Sequence, residues 1–337
     1  MKAVGFKKSL PIEEENSFIE FETDKPTPGE NDLLVKIEAV SVNPVDYKVR
    51  QSAAKEKELE SPKIIGWDAA GVVEAVGEKV KNFRKGDEVF YAGVINRPGC
   101  NAEYQVVDER SVGHKPQNLS WEEAAAMPLT SLTAWECIFE RLKIAENSGM
   151  GKTILVIGGA GGVGSIGIQL LKKLTQMKVI ATASREETEK WSREKGADVV
   201  VNHKNLLKEM KKAGFDEVDY ILNFSNTELH WEAMAELIKP QGHICSIVET
   251  SEPVDLNKLK NKSVAFHWEL MFTRPTLKTD DMHEQHEILE RLSSLLEEGV
   301  LESTINDTFQ GLSAETFKKV HKLQESGKSI GKNVIKF

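Results

Sequence analysis

Cysteine is scarce in this chain of 337 residues: only Cys100, Cys137 and Cys245 occur, and no two of them form a C-x-x-C pair. An odd number of dispersed cysteines argues against a disulfide framework and predicts a reducing compartment. Each thiol is expected to be a small packing residue. Cys100 lies in a Pro-Gly-Cys-Asn turn, so we expect it to be the most exposed of the three.

Blocks of basic residues and long apolar runs are both absent. The net charge of −9 and a pI near 5.6 argue against nucleic acid or an anionic membrane as a partner bound through bulk charge. No apolar run approaches the ~20 residues of a membrane-spanning helix. Residues 1–6 have the pattern of a β-strand and not the charged segment followed by an apolar one that is typical of a signal peptide. We therefore expect a cytoplasmic protein whose partner is a small molecule.

Glycine, by contrast, is concentrated at one place. An apolar segment, Thr153–Ile157, is followed by a glycine-rich turn and then by the amphipathic segment Ser165–Leu174. Glycines of the G-x-G-x-x-G pattern allow a tight turn, the approach of backbone amides to a pyrophosphate, and close packing of helix on strand. The pattern predicts a dinucleotide site made of Gly159, Ala160, Gly161, Gly162, Val163 and Gly164. The alternative is a strand–helix turn without a ligand.

The pattern of predicted secondary structure changes twice along the chain. Short strands separated by turns fill the first third, such as Leu33–Val42 and Ala69–Val76. From about Trp121 strands and helices alternate with short connections, which predicts a parallel, doubly wound sheet. After Phe266 the pattern reverts, with helices predicted over 282–298 and 314–324 and a final strand over 334–337. One domain is therefore expected to combine both ends of the chain, with the nucleotide domain inserted between them.

Several motifs occur in a specific order with the glycine turn: Asn43–Lys48, Gly66–Gly77, Phe83–Val89, Thr130–Ala134 and His267–Arg274. Together they resemble the medium-chain dehydrogenase/reductase superfamily, and within it the zinc-free quinone oxidoreductases. The resemblance implies an α/β fold in which a GroES-like, mostly antiparallel catalytic domain (residues 1–125 and 267–337) accompanies a Rossmann domain (residues 126–266). It also implies a bound dinucleotide and a homodimer.

The residues that hold zinc in alcohol-oxidising members of this superfamily have no counterpart here. Asn43 stands in place of the first thiolate and Trp67 in place of the imidazole, and the region of Met127 offers no second cysteine. Only Cys100 lies where the structural-zinc lobe would carry four cysteines. Because zinc requires thiolate or imidazole ligands in a tetrahedral array, we expect no metal. The carboxylates of Asp46 and Asp68 alone would make a poor site.

Without a metal, the oxidation of a simple alcohol lacks a Lewis acid for the developing alkoxide. A quinone or an α,β-unsaturated carbonyl needs less stabilisation of this kind. The negative charge that develops on hydride addition spreads by conjugation onto an oxygen, which hydrogen bonds can stabilise. We therefore expect metal-free hydride transfer to a quinone or an enone. The alternatives are a zinc-dependent alcohol dehydrogenase and a nucleotide-binding redox sensor or structural protein without turnover.

The expected cofactor is NADPH. An NAD site carries an acid about 20 residues after the glycines, whereas this chain has Ala183, Ser184 and Arg185 there. No acid repels a 2′-phosphate, and the arginine can bind one. Ser184 and Glu187 also match a helix capping box, so a purely structural role is the alternative for Ser184.

Other site residues are predicted from strand ends or from the resemblance, and a structural role is the alternative for each. Asn43 and Tyr47 are candidates for polar contacts at the substrate, and the resemblance places Thr130 near the nicotinamide. Asn223, Ser225 and Val248 follow the ends of predicted parallel strands, where such sheets bind ligands. Two more residues are expected at the cofactor: Phe272, and Lys332 near its phosphates. Five histidines, His114, His203, His283, His286 and His321, are expected at the surface.

Overall fold

A computed structural model describes all residues from Met1 to Phe337. It divides the chain into two compact units. The first comprises Met1–Leu129 and Phe272–Phe337, and the second comprises Thr130–Met271. The bounds predicted from the sequence were 125 and 267 for the first unit. None of the helices has the length and apolar character that crossing a bilayer requires.

The strands range from two residues in β4 to eleven in β3 and are numbered here in chain order. They are β1 Lys2–Phe6, β2 Ile19–Glu22, β3 Asp32–Val42, β4 Lys63–Ile64, β5 Ala69–Val76, β6 Glu88–Tyr91, β7 Tyr104–Asp108, β8 Val112–His114, β9 Thr153–Ile157, β10 Lys178–Thr182, β11 Val199–Val201, β12 Val218–Asn223, β13 Ile238–Ser246, β14 Ala265–Trp268, β15 Ile305–Gln310 and β16 Lys332–Lys336.

The helices are longest in the second unit and near the C-terminus. They are α1 Pro44–Ser52, α2 Trp121–Ala125, α3 Pro128–Trp135, α4 Gly162–Leu174, α5 Glu186–Glu194, α6 Leu206–Lys212, α7 Thr227–Leu237, α8 Asn257–Lys260, α9 Thr273–Leu277, α10 Glu284–Glu297 and α11 Ala314–Glu325. A π-helical turn, Glu136–Arg141, follows α3, and three short 3₁₀ turns cover Glu15–Ser17, Glu109–Ser111 and His203–Asn205.

The first unit is built on a mostly antiparallel sheet whose strands come from both ends of the chain. Its order is β15-β16-β3-β5-β6-β8, and β7 pairs with β3. The C-terminal strand β16 runs antiparallel to β3, with Asn333 opposite Val42 and Val334 opposite Ser41. A smaller sheet has the order β2-β1-β4. The predicted antiparallel catalytic domain, made from both chain ends, is confirmed.

The second unit contains a six-stranded sheet with the order β11-β10-β9-β12-β13-β14. Every pairing in it is parallel. Numbered from β9, this order is the 3-2-1-4-5-6 arrangement of a Rossmann fold. Apolar residues on the strands, among them Leu155, Ile180, Ile221 and Ile244, form a buried core with α6 and α7. The predicted doubly wound sheet is therefore confirmed.

Two surface predictions are wrong. Cys100 is fully buried. His321 is also fully buried, because α11 turns one face, with Phe317, Val320 and His321, towards the core. The His321 ring meets Phe18 edge-on at 4.7 Å, and neither ring nitrogen has a hydrogen-bond partner. Burial and the neighbouring Arg50 lower the pKa of His321 to about 3.

Candidate functional site

A polar cluster lies in the first unit where β3 ends and α1 begins. Asn43 is the residue before α1, and Pro44 occupies the first helical position, where its missing N–H and fixed φ are tolerated. The Asn43 backbone N–H donates to Oδ2 of Asp46, which caps the start of the helix. Asn43 is 1% exposed, so this predicted site residue lies inside the unit.

Asp68 is the centre of the cluster. Its buried carboxylate accepts from Ser41 Oγ at 2.7 Å, Asn43 Nδ2 at 3.1 Å and Lys332 Nζ at 2.9 Å. Its second oxygen accepts from the backbone N–H of Leu129 at 3.1 Å. Oδ2 therefore accepts three hydrogen bonds and Oδ1 accepts one, all from buried groups of the protein. Asp68 therefore holds together β3, β5, β16 and the segment that starts α3.

Lys332 is placed in this cluster by strand pairing. It directly precedes Asn333, which lies opposite Val42, so Lys332 reaches Asn43 across the β3–β16 pair. Its ammonium donates to Asn43 Oδ1 and Asp68 Oδ2, and the residue is only 2% exposed. Two of its three N–H groups are thus engaged inside the protein. The expected contact of Lys332 with cofactor phosphates stays a prediction; the contacts seen are with Asn43 and Asp68.

Three further titratable groups lie deep in the same unit. Burial raises the pKa of Asp46 to about 7, although the Asn43 N–H and the Lys332 charge oppose the rise. The Oδ1 atom of Asp46 is buried without a hydrogen-bond partner. Burial likewise raises the pKa of the Cys100 thiol and of the Tyr91 hydroxyl. A second carboxyl therefore adjoins the Lys332–Asp68 ion pair and carries a proton for part of the time at neutral pH.

Aromatic residues adjoin the cluster. Trp67, one residue before Asp68, is fully buried and its indole N–H donates to the Val94 carbonyl at 3.1 Å. Phe272 is also buried and meets Trp67 edge-on at 6.3 Å between ring centres. Tyr47 lies on α1 and is half-buried. The expected contacts of Phe272 with cofactor and of Tyr47 with substrate stay predictions.

These residues do not fit a zinc ion. Asp68 already accepts four hydrogen bonds, and the Trp67 N–H is a donor. The Met127 sulfur accepts from Thr304 N at 3.4 Å. The one nearby thiol, that of Cys100, lies 3.7 Å from the Asp68 carbonyl oxygen, and one thiol is too few for a zinc site. No three side chains of the His, Cys, Asp and Glu types come together as a metal site.

The glycine turn in the second unit has a distinct geometry at each position. Gly158 has φ +87°, a conformation that glycine tolerates best. A Cβ on Gly159 would lie 2.8 Å from Ala181 Cβ, and one on Gly164 would lie 2.2 Å from the Gly158 carbonyl oxygen. Those two glycines allow β9, β10 and α4 to approach one another. A Cβ on Gly161, by contrast, would meet only the Gly158 oxygen, at 3.5 Å.

The turn leads into a helix terminus suited to an anion. Helix α4 begins at Gly162 with Gly161 as its preceding residue, and Gly161, Gly162 and Val163 are partly exposed. The first amides of a helix have no intrahelical acceptor, and the helix dipole favours negative charge there. Because Gly161 carries no side chain, a pyrophosphate can approach these amides. The residues present therefore fit the dinucleotide that the pattern predicts.

The cap of helix α5, which follows strand β10, differs from the predicted one. Helix α5 begins at Glu186 after Arg185, and the Arg185 backbone N–H donates to Thr188 Oγ1 at 3.1 Å. The capping pair is therefore one residue later than Ser184 and Glu187. The Arg185 guanidinium lies 3.1 Å from Glu187, with both side chains partly in solvent.

Asn223 and Ser246, which end β12 and β13, form a buried network with Thr227, the first residue of α7. Asn223 Nδ2 donates to Thr227 Oγ1 at 2.9 Å and to Ser246 Oγ at 3.0 Å, and Thr227 bonds the Val248 carbonyl. The network fixes the position of Val248, while Ser225 remains half-buried. Sequence reasoning missed Thr227 and Ser246, although Ser246 ends β13 and Thr227 begins α7. Thr130, in α3, is 3% exposed.

The sequence of this chain is similar to known proteins along its whole length. A model of the alcohol dehydrogenase GroES-like domain matches residues 29–117, and a zinc-binding dehydrogenase model matches residues 195–335. A zinc-type alcohol dehydrogenase-like protein from Staphylococcus aureus is 47% identical over 338 residues, which cover 99% of each chain. The chain belongs to the medium-chain dehydrogenase/reductase superfamily of oxidoreductases. The zinc in the relative's name concerns that relative, because the residues here do not fit the metal.

Other relatives have different names. A 2-methylene-furan-3-one reductase from Solanum lycopersicum is 42% identical over 187 residues, 53% of this chain and 46% of that protein. A solved Rhizobium etli protein, provisionally named a zinc-dependent alcohol dehydrogenase, has a TM-score of 0.93 at 47% identity, covering 100% of this chain and 98% of that one. The quinone oxidoreductase from Coxiella burnetii has a TM-score of 0.82 at 27% identity, covering 100% and 99%.

Proposed function

We propose that this protein is an NADPH-dependent oxidoreductase that reduces quinones or α,β-unsaturated carbonyls without a metal. The observation that carries the proposal is the glycine turn at the start of α4, where Gly161 leaves open the approach to the helix amides. When bound, the reduced nicotinamide supplies the hydride. The relatives named as a quinone oxidoreductase and a furanone reductase support the substrate class.

The preference for NADPH is supported by basic residues after two adjacent strands. Arg185 follows β10, and His203 and Lys204 follow β11, which pairs with β10 through Thr182 and Val201. Carboxyl ends of parallel strands share one edge of the sheet, where ligands bind. No acid lies at residues 183–185 to repel a 2′-phosphate. The exposed ion pair of Arg185 with Glu187 is worth little and can exchange for a phosphate.

The residues of the first unit are proposed to serve the substrate. Asp68 and Lys332 hold the Asn43 amide, one of whose N–H groups is used by Asp68. Hydrogen bonds of this kind can hold the oxygen on which charge develops during reduction. The carboxyl of Asp46 is fully buried, so we assign proton delivery to water.

We also propose a cytoplasmic homodimer. Strand β14 lies at the end of the six-stranded sheet and offers one unpaired edge. Trp268 on this strand is 50% exposed and Leu270, two residues on, is 59% exposed. A second copy of the chain pairing along this edge would cover both side chains and continue the sheet.

The test is a screen of NADPH oxidation over quinones, enones and aldehydes, with NADH in parallel. We expect turnover with quinones or enones and a lower KM for NADPH than for NADH. Equal use of NADH would remove the role assigned to Arg185. Tight NADPH binding without turnover on any substrate would favour the redox-sensor alternative.

A further inference from the structure

The strongest unexplained feature of the first unit is a buried ammonium at the place where the superfamily resemblance locates a metal. We propose that Lys332 is the resident cation of this site, that it takes the place of a divalent metal, and that it positions Asn43. The proposal rests on metal-free reduction as the proposed function. Beyond that function, the proposal identifies Lys332 as the group that makes a metal unnecessary.

The carboxylate of Asp68 requires a cation beside it, because Asp68 is fully buried. Removing an ion from water carries a desolvation penalty, which only a close counter-ion and hydrogen bonds offset. The Lys332 ammonium lies 2.9 Å from Asp68 Oδ2, and both residues are almost completely removed from solvent. The ammonium therefore supplies the charge compensation that a metal ion would otherwise give.

Lys332 and a metal ion exclude each other at this position. A zinc ion would lie about 2.0–2.2 Å from a carboxylate oxygen and would need that oxygen's free lone pairs. The oxygen that Lys332 contacts, Asp68 Oδ2, already accepts from Lys332, Ser41 and Asn43, and Oδ1 accepts from the Leu129 amide. A divalent cation there would also face the ammonium at close range in a poorly screened interior. The ammonium must leave before a metal can bind.

The same ammonium fixes the orientation of Asn43. The Asn43 Oδ1 atom accepts from Lys332, and its Nδ2 atom donates to Asp68. An amide held at both ends cannot exchange its oxygen and nitrogen positions. Its second Nδ2 hydrogen therefore has a set direction and is left for one further acceptor. Lys332 is accordingly a positioning residue that acts through Asn43.

The decisive variant is Lys332→Ala, with Lys336→Ala as the matched control. Lys336 lies on the same strand, carries the same charge and pairs with Glu122 at 2.7 Å, but its side chain is 42% exposed. We expect Lys332→Ala to lower the midpoint of thermal unfolding by about 10 °C, because it leaves Asp68 without its cation. The control is expected to shift it by about 2 °C or less.

Chemical rescue tests whether the missing aminopropyl group accounts for the effects of Lys332→Ala. Propylammonium reproduces the part of Lys332 that alanine lacks. We expect it to raise the unfolding midpoint of Lys332→Ala and to restore its kcat, whereas equal concentrations of tetramethylammonium or sodium do neither. Wild type and Lys336→Ala should not respond. Should Lys332→Ala fail to fold, the double variant Asp68→Asn with Lys332→Met removes both charges and is expected to fold better than Lys332→Met alone.

The outcomes distinguish this proposal from the proposed function. Wild-type protein that takes up one zinc per chain, with a higher unfolding midpoint, would overturn the proposal. So would a Lys332→Ala variant that behaves like Lys336→Ala, or a double variant no more stable than Lys332→Met. Rescue of stability by propylammonium in a protein that oxidises no NADPH would sustain the internal cation and reject the reductase function.

Discussion

A methyl group added at Gly161 and one added at Gly164 are expected to have opposite consequences, although the two glycines are close in the chain. Gly161 has φ −74° and ψ 173°, which alanine adopts freely, and its added Cβ meets no atom closer than 3.5 Å. Gly161→Ala should therefore change the free energy of unfolding by less than about 1 kcal/mol. A Cβ at Gly164 would lie 2.2 Å from the Gly158 oxygen and 2.8 Å from the Gly159 carbonyl carbon.

At Gly164 the backbone itself must move. We expect Gly164→Ala to lower the free energy of unfolding by about 1–3 kcal/mol. The roughly 1 kcal/mol by which alanine exceeds glycine in helix propensity would offset only part of this loss. Thermal or denaturant unfolding without cofactor measures both variants against wild type.

For cofactor binding the order is reversed. The methyl group of Gly161→Ala would occupy the space through which a pyrophosphate reaches the first amides of α4. Loss of two hydrogen bonds to a charged group, at about 1.5–3 kcal/mol each, raises the Kd for NADPH by about a hundredfold or more. Fluorescence titration or calorimetry gives the Kd. A Gly161→Ala variant with wild-type affinity for NADPH would refute this assignment of the pyrophosphate site.

Three further predictions concern the cofactor, acid stability and assembly. Arg185→Ala should raise the Kd for NADPH about tenfold and leave the Kd for NADH unchanged. Arg193→Ala, which removes an exposed arginine on α5, should change neither Kd. An equal loss of affinity for both cofactors would contradict the 2′-phosphate contact. The pKa of His321 is about 3 in the folded protein against 6.5 ordinarily, so the unfolded chain takes up a proton first as the pH falls below 6.5. The contribution of the neutral His321 ring to the free energy of unfolding is complete above pH 6.5 and falls by about 2 kcal/mol by pH 5. His321→Phe should remove this part of the fall, as measured by denaturant titrations at each pH. An unchanged dependence of the free energy of unfolding on pH would count against the assignment. Trp268→Lys should convert the dimer to a monomer in light scattering, and a dimer that persists would place the interface elsewhere.

The architecture was predictable because it follows from local patterns of apolar and polar residues and from the order of the motifs. The parallel sheet follows from apolar segments such as Thr153–Ile157 alternating with amphipathic helices, and the chain order of the motifs identified the superfamily. Helix α1 was not among the elements predicted from the sequence, because Asn43-Pro44 fits a turn as well as the start of a helix. Proline is equally suited to the first position of a helix, and Asp46 three residues on supplies the cap. The π-helical turn Glu136–Arg141 that follows α3 has no signal in the sequence.

The candidate site was predictable only in part. The glycine turn is local, so its residues could be named from the sequence. The pairing of Asp68 with Lys332 joins residues 264 positions apart, and no local pattern reveals a contact of that separation. The burial of His321, in contrast, had a signal: it follows Phe317 and Val320 at helical spacing, so one face of α11 is apolar.

The most direct test of the account is NADPH oxidation by protein from which metal has been removed with a chelator and whose zinc content has been measured. With a quinone or an enone as acceptor, we predict a rate equal to that of untreated protein and unaffected by added zinc. Loss of the rate on chelation with recovery on adding zinc would contradict metal-free reduction.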